Sequence, residues 1–342
     1  MMSIDRLGIS FEDVLLEPQY SEIRTRGSIS LKNTLEIDGV DISFKLPVVS
    51  APMDTVTEDQ MAKAIAQKHG LGIIHRYNTI EEQCALIKAA YPYGTVGAAI
   101  GVTDDYFERA MELVRAGADV LCLDVAHGHH IAVKEALTKL KQDLSNVHFM
   151  AGNIATLQAF NDLADWGADS IRCGIGGGSI CTTRIQTGHG KPTLQTVLDC
   201  SQSNRSAKLI ADGGIKTSGD IVKALAAGAD FVMLGSLLAG TDEAPGETIT
   251  QNGLKYKVYR GMASKEAQFD WRGRTSSLEG VASVVPYKGS VSNVLDDLEK
   301  GIRSGLSYSG ATTLKEFHAK SRLTFQTSAG QIESSAHIGV AK

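Results

Sequence analysis

Residues 208–236 read KLIADGGIKTSGDIVKALAAGADFVMLGS, and the fold is legible in this one stretch. Lys208 to Ala211 and Phe231 to Leu234 are short, mainly apolar runs, as strands buried on both faces of a parallel sheet must be. Between them Gly219 to Ala227 has helical spacing. It stops at Ala227-Gly228-Ala229, where glycine can supply a left-handed C-cap. The unit is a strand, a helix and a second strand, and it recurs along the chain. Further strand candidates are Leu46 to Ser50, Leu71 to His75, Thr95 to Ile100, Val120 to Asp124, His148 to Ala151 and Ser170 to Cys173, which makes eight. Helical patterns separate them at Glu58 to Lys68, Ile80 to Ala90, Asp105 to Ala116, Ile131 to Leu144, Leu157 to Trp166 and Leu194 to Cys200. Similar stops occur at His69-Gly70-Leu71, Ala116-Gly117-Ala118 and Trp166-Gly167-Ala168. Eight such strands can close into a barrel or spread into a doubly wound sheet. The regular unit length, and a first strand with no G-x-G-x-x-G after it, favour an α/β (β/α)8 barrel.

The whole chain, 1–342, is expected to form one catalytic domain. Met1 to Asp41 precedes the first strand and is expected to cap the barrel. Thr241 to Ser290 is a long polar insertion between the eighth strand and its helix, Val291 to Ser304, and loops of that length are usually functional. Arg322 to Lys342 reads as a disordered end, or else as an arm that docks on something.

Thirty-four basic against thirty-nine acidic residues give a net charge of -5, which is no footprint for nucleic acid. Met1 to Arg26 has neither the cationic nor the apolar region of a signal peptide. The longest apolar stretch, Phe231 to Ala239, is too short to span a bilayer. The five cysteines (84, 122, 173, 181 and 200) are scattered, with no C-x-x-C spacing. A soluble protein in a reducing, cytoplasmic setting is therefore expected, with neither nucleic acid nor membrane as partner.

In a barrel the chemistry sits just after each strand. After the sixth strand comes Gly174-Ile175-Gly176-Gly177-Gly178-Ser179-Ile180-Cys181-Thr182-Thr183-Arg184. Glycines at this density let the backbone turn tightly and aim several polar groups at one small ligand. The run ends in a cysteine flanked by hydroxyls and Arg184, a setting for an activated thiolate. The other four cysteines lie in strand or helix patterns, where a small buried hydrophobe is the expected role. Asp212-Gly213-Gly214-Ile215 and Gly235-Ser236 follow strands seven and eight, the usual pair of loops for a phosphate in a barrel. Backbone N–H groups of Gly214, Gly235 and Ser236, with hydroxyls of Ser179 and Ser236, can cradle a phosphate monoester. Asp212 suits ribose hydroxyls, which points to a nucleotide.

Gly-Ser-Ile-Cys-Thr-Thr-Arg at 178–184, Ala-Asp-Gly-Gly-Ile at 211–215, the segment from Gly235 to Glu247, Tyr-Arg-Gly-Met at 259–262 and Ser-Ala-Pro-Met-Asp-Thr-Val-Thr at 50–57 resemble the signatures of the IMP dehydrogenase and GMP reductase family. The resemblance runs from about Ser10 to His337. It implies a barrel, usually a homotetramer, in which a cysteine attacks C2 of a purine mononucleotide. It makes Cys181 the nucleophile, with Thr183 and Glu279 as catalytic partners. Ser179, Gly214, Gly235, Ser236 and Tyr259 would hold the phosphate and Asp212 the ribose. Met262, Ala263 and Glu279 would meet the base, Ala263 standing where many relatives have Gly, while Ala51, Met53 and Gly261 complete the substrate set. Asp124, Val125, Ala126, Asn153, Arg172 and Gly174 would lie along the nicotinamide nucleotide. The resemblance further implies a potassium site from Gly176, Gly178 and Cys181 of one subunit with a tail segment of another, here Glu333 to Ser335.

Two departures bear on the reaction. Family dehydrogenases usually carry paired CBS modules, and here Ala90 leads through Tyr91-Pro92-Tyr93-Gly94 straight into the third strand. Their flap also carries an Arg-Tyr pair that activates water, whereas Ala263 to Leu278 has none. Arg272 and Arg274 could stand in, but arginines in a polar loop are expected to be solvated. On this ground the resemblance favours an NADPH-dependent GMP reductase. The alternative is an NAD-dependent IMP dehydrogenase, supported by Asp-Val-Ala-His-Gly-His at 124–129 and by the tail at 328–337. A catalytically idle nucleotide-binding paralogue is a third reading, disfavoured because Cys181, Thr183, Asp212 and Glu279 are all present.

Overall fold

The computed structural model describes residues 7–276 and 278–334. Eight parallel strands close into a barrel: β1 (Val48–Ser50), β2 (Leu71–Ile74), β3 (Val96–Ile100), β4 (Val120–Asp124), β5 (His148–Ile154), β6 (Ser170–Cys173), β7 (Lys208–Asp212) and β8 (Phe231–Leu234). Closure is made by β8 on β1, with Met233 opposite Val49. All eight expected strands are present. The first is shorter than expected because Pro47 has no N–H for the ladder and offers only its carbonyl, to Val232 N.

Outside the barrel lie α1 (Asp59–Gln67), α2 (Ile80–Ala90), α3 (Tyr106–Arg115), α4 (Ile131–Asp143), α5 (Leu157–Asp165), α6 (Thr193–Cys200), α7 (Ser218–Ala226) and α8 (Val291–Tyr308). Gly117, Gly167 and Gly228 all have positive φ. At the fourth stop the roles are exchanged. His69 takes the left-handed conformation (φ 58°), and Gly70 is needed because a Cβ there would fall 2.8 Å from the Val48 carbonyl oxygen.

Apolar burial divides into two layers. One lies between strands and helices. The other fills the barrel itself with Val49, Leu71, Ile73, Val120, Met150, Ile210, Phe231 and Met233. A hairpin of Asn33–Ile37 and Val40–Phe44 closes the floor, sending Leu35, Ile37 and Phe44 into that inner layer, with Phe44 edge-on to Phe231 at 5.6 Å.

The insertion after β8 is not the irregular loop that its polarity implied. It contains a three-stranded antiparallel sheet, Thr248–Gln251, Leu254–Arg260 and Ala282–Pro286, and a flap helix, Lys265–Arg272. Asn252 and Gly253, both at positive φ, make the tight turn of the first hairpin. The described part of the terminal segment carries regular structure. Leu323–Phe325 pairs antiparallel with Val14–Leu16, and a terminal helix follows at Ser328–Glu333. Ser335 lies outside the described residues. No helix among the described residues is long and apolar enough to cross a membrane.

The helix behind the β7 loop is fixed at its start by a reciprocal cap. Thr217 Oγ1 accepts from Asp220 N, while Asp220 Oδ2 accepts from the N–H groups of Lys216 and Thr217. Thr217→Ala is therefore expected to cost about 1 kcal/mol in urea denaturation. An unchanged midpoint would show that α7 is held by packing alone.

Candidate active site

A cavity of about 340 Å³ opens at the C-terminal ends of the strands. That is the size of a small-molecule site. Its wall gathers residues from most of the strand ends: Ala51 and Met53 after β1, Arg76 and Tyr77 after β2, Asp124 to Ala126 at β4, Asn153 on β5, Gly174 to Cys181 after β6, Asp212 to Ile215 at β7, and Gly235 with Ser236 after β8. The insertion adds Tyr259, Gly261 to Ala263, Glu279 and Gly280. Every residue that the sequence assigned to catalysis, substrate or cofactor lies in this wall, whereas Glu333 of the tail segment does not. It lies exposed on the terminal helix.

Cys181 sits where the β6 loop meets the stem of the insertion. Its N–H donates to Gly178 O, closing a turn. On either side, Thr182 N donates to Glu279 O (2.9 Å) and Val281 N to Ile180 O (3.1 Å). This short ladder fixes three side chains in a row. Cys181 Sγ is 3.2 Å from Thr183 Oγ1, and Thr183 Oγ1 donates to Glu279 Oε2 at 2.7 Å. The thiol thus has a two-bond proton path to a carboxylate. Arg184, expected beside the thiol, instead turns away. It donates to Lys191 O and lies against Gly176 and Gly190, where any Cβ would strike it.

Beside Gly177 and Gly178 of the β6 loop, Gly213 and Gly214 take φ values of 91° and 78°, which glycine adopts without strain. Gly235 is required for a different reason. A Cβ there would fall 2.9 Å from Tyr259 Oη. Burial pushes the Tyr259 phenol up to about 12, despite a hydrogen bond with Ser179 that acts the other way. At neutral pH it is an uncharged donor aimed into the glycine-lined end.

The floor is a charged triplet. Arg172 donates to Asp124 Oδ1 at 2.6 Å and to Asp212 Oδ2 at 3.0 Å, and Asn153 Nδ2 donates to Asp212 Oδ2 and to Gly174 O, both at 2.8 Å. Burial works against the guanidinium charge, but Cys122, Asp212 and Asp124 together hold its pKa well above the usual value. Three polar atoms on residues lining this end have no hydrogen-bond partner: Asn153 Oδ1, Arg172 Nε and Arg76 Nε. Buried polar atoms seldom stay unpaired, so this set suits a ligand bearing amide and hydroxyl groups. No group of three or more His, Cys, Asp or Glu side chains could hold a metal among the described residues.

Arg76 and Tyr77 were missed from the sequence although they directly follow a strand. The flap helix rests on them. Trp271 stacks on Tyr77 (6.0 Å, 16°), and the guanidinium groups of Arg272 and Arg76 lie 5.8 and 5.6 Å from the same ring. Arg272 is exposed, as expected of a loop arginine, and its guanidinium also faces an aromatic ring. Arg260 braces the helix by bonding Asp54 at 2.7 Å and Asp270 at 2.5 Å.

The model of the IMP dehydrogenase / GMP reductase domain matches residues 8–337. The chain belongs to this family. Its members are oxidoreductases of purine nucleotide metabolism that use nicotinamide dinucleotides. Among its relatives are an inosine-5'-monophosphate dehydrogenase of Cryptosporidium parvum, 38% identical over 96% of this chain and 95% of that one, and a GMP reductase of Leishmania major, 32% identical over 96% of each. A crystal structure of a Trypanosoma brucei GMP reductase variant in complex with guanosine 5'-monophosphate superposes with a TM-score of 0.92, at 32% identity and 99% coverage of both chains.

Two outcomes test this geometry. Arg172→Met leaves two largely buried carboxylates facing one another, so a loss of about 3–5 kcal/mol is expected in denaturant titration. A loss under 1 kcal/mol would mean that the triplet carries no net charge compensation. The second concerns Tyr259. A raised folded pKa contributes stability that is complete below the unfolded value near 10 and is lost as pH rises towards 12. Wild-type stability should fall across that window more steeply than that of Tyr259→Phe, and parallel profiles would contradict the assignment.

Proposed function

We propose that this protein is a GMP reductase, converting GMP to IMP and ammonia at the expense of NADPH, with the whole chain acting as one catalytic unit. The observation that carries the reading is the line of Cys181, Thr183 and Glu279. As the thiol yields its proton through Thr183 to Glu279, its sulfur adds to C2 of the guanine. The same proton returns through Thr183 to the exocyclic nitrogen, the C2–N bond breaks, and ammonia leaves a purine joined to sulfur. A reduced nicotinamide dinucleotide, when bound, supplies the hydride that C2 gains. The C–S bond then breaks, IMP departs and the sulfur takes a proton from water. Proton transfer in this line needs no activated water.

Asp212 would hold the ribose hydroxyls. The N–H groups of Gly214, Gly235 and Ser236, with the hydroxyls of Ser179 and Tyr259, would hold the phosphate, and Ala51, Met53, Gly261, Met262 and Ala263 would border the base. Asp124, Val125, Ala126, Asn153, Arg172 and Gly174 would receive the nicotinamide nucleotide, and Asn153 Oδ1 and Arg172 Nε have no hydrogen-bond partner there. The bound GMP of the trypanosomal structure supports a purine mononucleotide substrate. In a homotetramer, carbonyls of Gly176, Gly178 and Cys181 offer a neutral oxygen set for potassium, and Glu333 would have to come from another copy.

The competing reading is an IMP dehydrogenase, favoured by several curated relatives of that name, including one of Borreliella burgdorferi at 36% identity. It needs a base for water. The two arginines that could stand in for the missing pair, Arg272 and Arg274, are both exposed, and Arg272 lies over the ring of Tyr77.

Parallel assays at the nicotinamide absorbance separate the two. GMP with NADPH should turn over steadily. IMP with NAD should give at most one equivalent of NADH per site. Cys181→Ala should abolish turnover with little loss of nucleotide affinity, and Glu279→Gln should slow ammonia release by about 100-fold or more. Steady NADH formation from IMP that collapses in Arg272→Ala would reverse the assignment.

A further inference from the structure

Two segments remote in sequence, residues 11–16 and 323–333, meet beside the β7 loop. Phe11, in a short turn at Phe11–Asp13, is 4% exposed. A Cβ built on Gly214 would lie 3.7 Å from its ring carbon Cε2, so the ring stands where a Gly214 side chain would begin, and Phe11 itself is not among the residues that line the cavity. With two successive glycines at positive φ, that loop has little side-chain packing of its own. Phe11 is itself fixed from both sides. Lys223 of α7 donates to Phe11 O at 2.8 Å. From the terminal segment, Gln326 N donates to Asp13 O at 2.9 Å and Gln326 Nε2 to Glu12 O at 2.7 Å. Glu12 pairs with Lys216 on the loop at 2.6 Å and accepts from Gln331 of the terminal helix at 3.3 Å. The strands Val14–Leu16 and Leu323–Phe325 zip the two ends together.

We propose that Phe11 is a positioning residue for the substrate's phosphate, acting through Gly214. It rests on the reading of the β7 and β8 loops as the phosphate cradle. Phe11 touches no substrate. Its ring removes the slack of a glycine pair whose N–H groups must converge on one anion, and a donor displaced by about 1 Å can cost up to 100-fold. The exposed Glu12–Lys216 pair adds little by itself. The ring and the backbone bonds around it carry the effect.

The test is calorimetric binding of GMP and guanosine, and of IMP and inosine, to the full chain and to Phe11→Ala and Phe11→Leu, with thermal melts confirming that each is folded. In the wild type the nucleotide should bind far more tightly than the nucleoside. In Phe11→Ala the nucleotide should lose about ten-fold or more in affinity while the nucleoside is unchanged, and Phe11→Leu should restore most of the loss. The KM for the nucleotide should rise with kcat nearly constant. A Phe11→Ala variant that keeps the full phosphate advantage would overturn the proposal. So would equal losses for nucleotide and nucleoside without rescue by leucine, which mark a merely structural role. Equal nucleotide and nucleoside affinity in the wild type is a distinct result, and it would remove the phosphate cradle itself.

Discussion

The guanidinium of Arg172 holds the floor of the cavity together. It projects from the end of β6 between carboxylates of β4 and β7, so one buried cation ties together strands on both sides of its own. Arg172 lies between the two carboxylates and bonds to both, and Asn153 locks the Asp212 carboxylate in orientation. The arrangement uses the strengths of arginine, a planar fork that stays charged when buried. One arm faces the end assigned to substrate ribose and the other the end assigned to the cofactor. The two halves of the cavity are thereby set at a fixed spacing before any ligand arrives.

Much of this was legible in the chain. Fully buried parallel strands must be continuously apolar, so Val120 to Asp124 and Phe231 to Leu234 could be bounded to the residue. The glycine loops could be found because each directly follows such a strand. The insertion was harder. Leu254 to Arg260 alternates lysine with tyrosine and valine, and its charged positions masked the period of two that the sheet obeys. The Asn252-Gly253 turn was the available signal. Arg76 and Tyr77 escaped for another reason. They resemble ordinary polar loop residues, and their partner Trp271 is remote in sequence and joins them only through the tertiary fold. The line from Thr183 to Glu279 spans 96 positions, and nothing local in either segment announces the other.

The flap helix illustrates how small polar segments acquire structure. It is held by an aromatic stack, a bridging arginine, a serine cap, Ser264, whose hydroxyl accepts from Ala267 N, and the buried Gln268, which donates to Ala263 O and accepts from Ser276. These hold Lys265–Arg272 beside the cavity with little core beneath it. Elements held by few contacts open at lower cost than the barrel does. A rigid floor with a lightly held rim allows ligands in and out while the reacting groups keep their geometry.

The joining of the two ends also has a consequence for synthesis. Gln326 and Glu12 are 314 positions apart, so the bond between them waits for nearly the whole chain. At roughly 5–20 residues per second, the strand at Val14 to Leu16 leaves the ribosome about a quarter of a minute to a minute before its partner. Throughout that interval its edge is unpaired, and such edges invite pairing with other chains. The strand is only three residues long, which limits what a stray partner could gain. The strand that joins the two segments behind the β7 loop thus also seals an edge exposed early in synthesis.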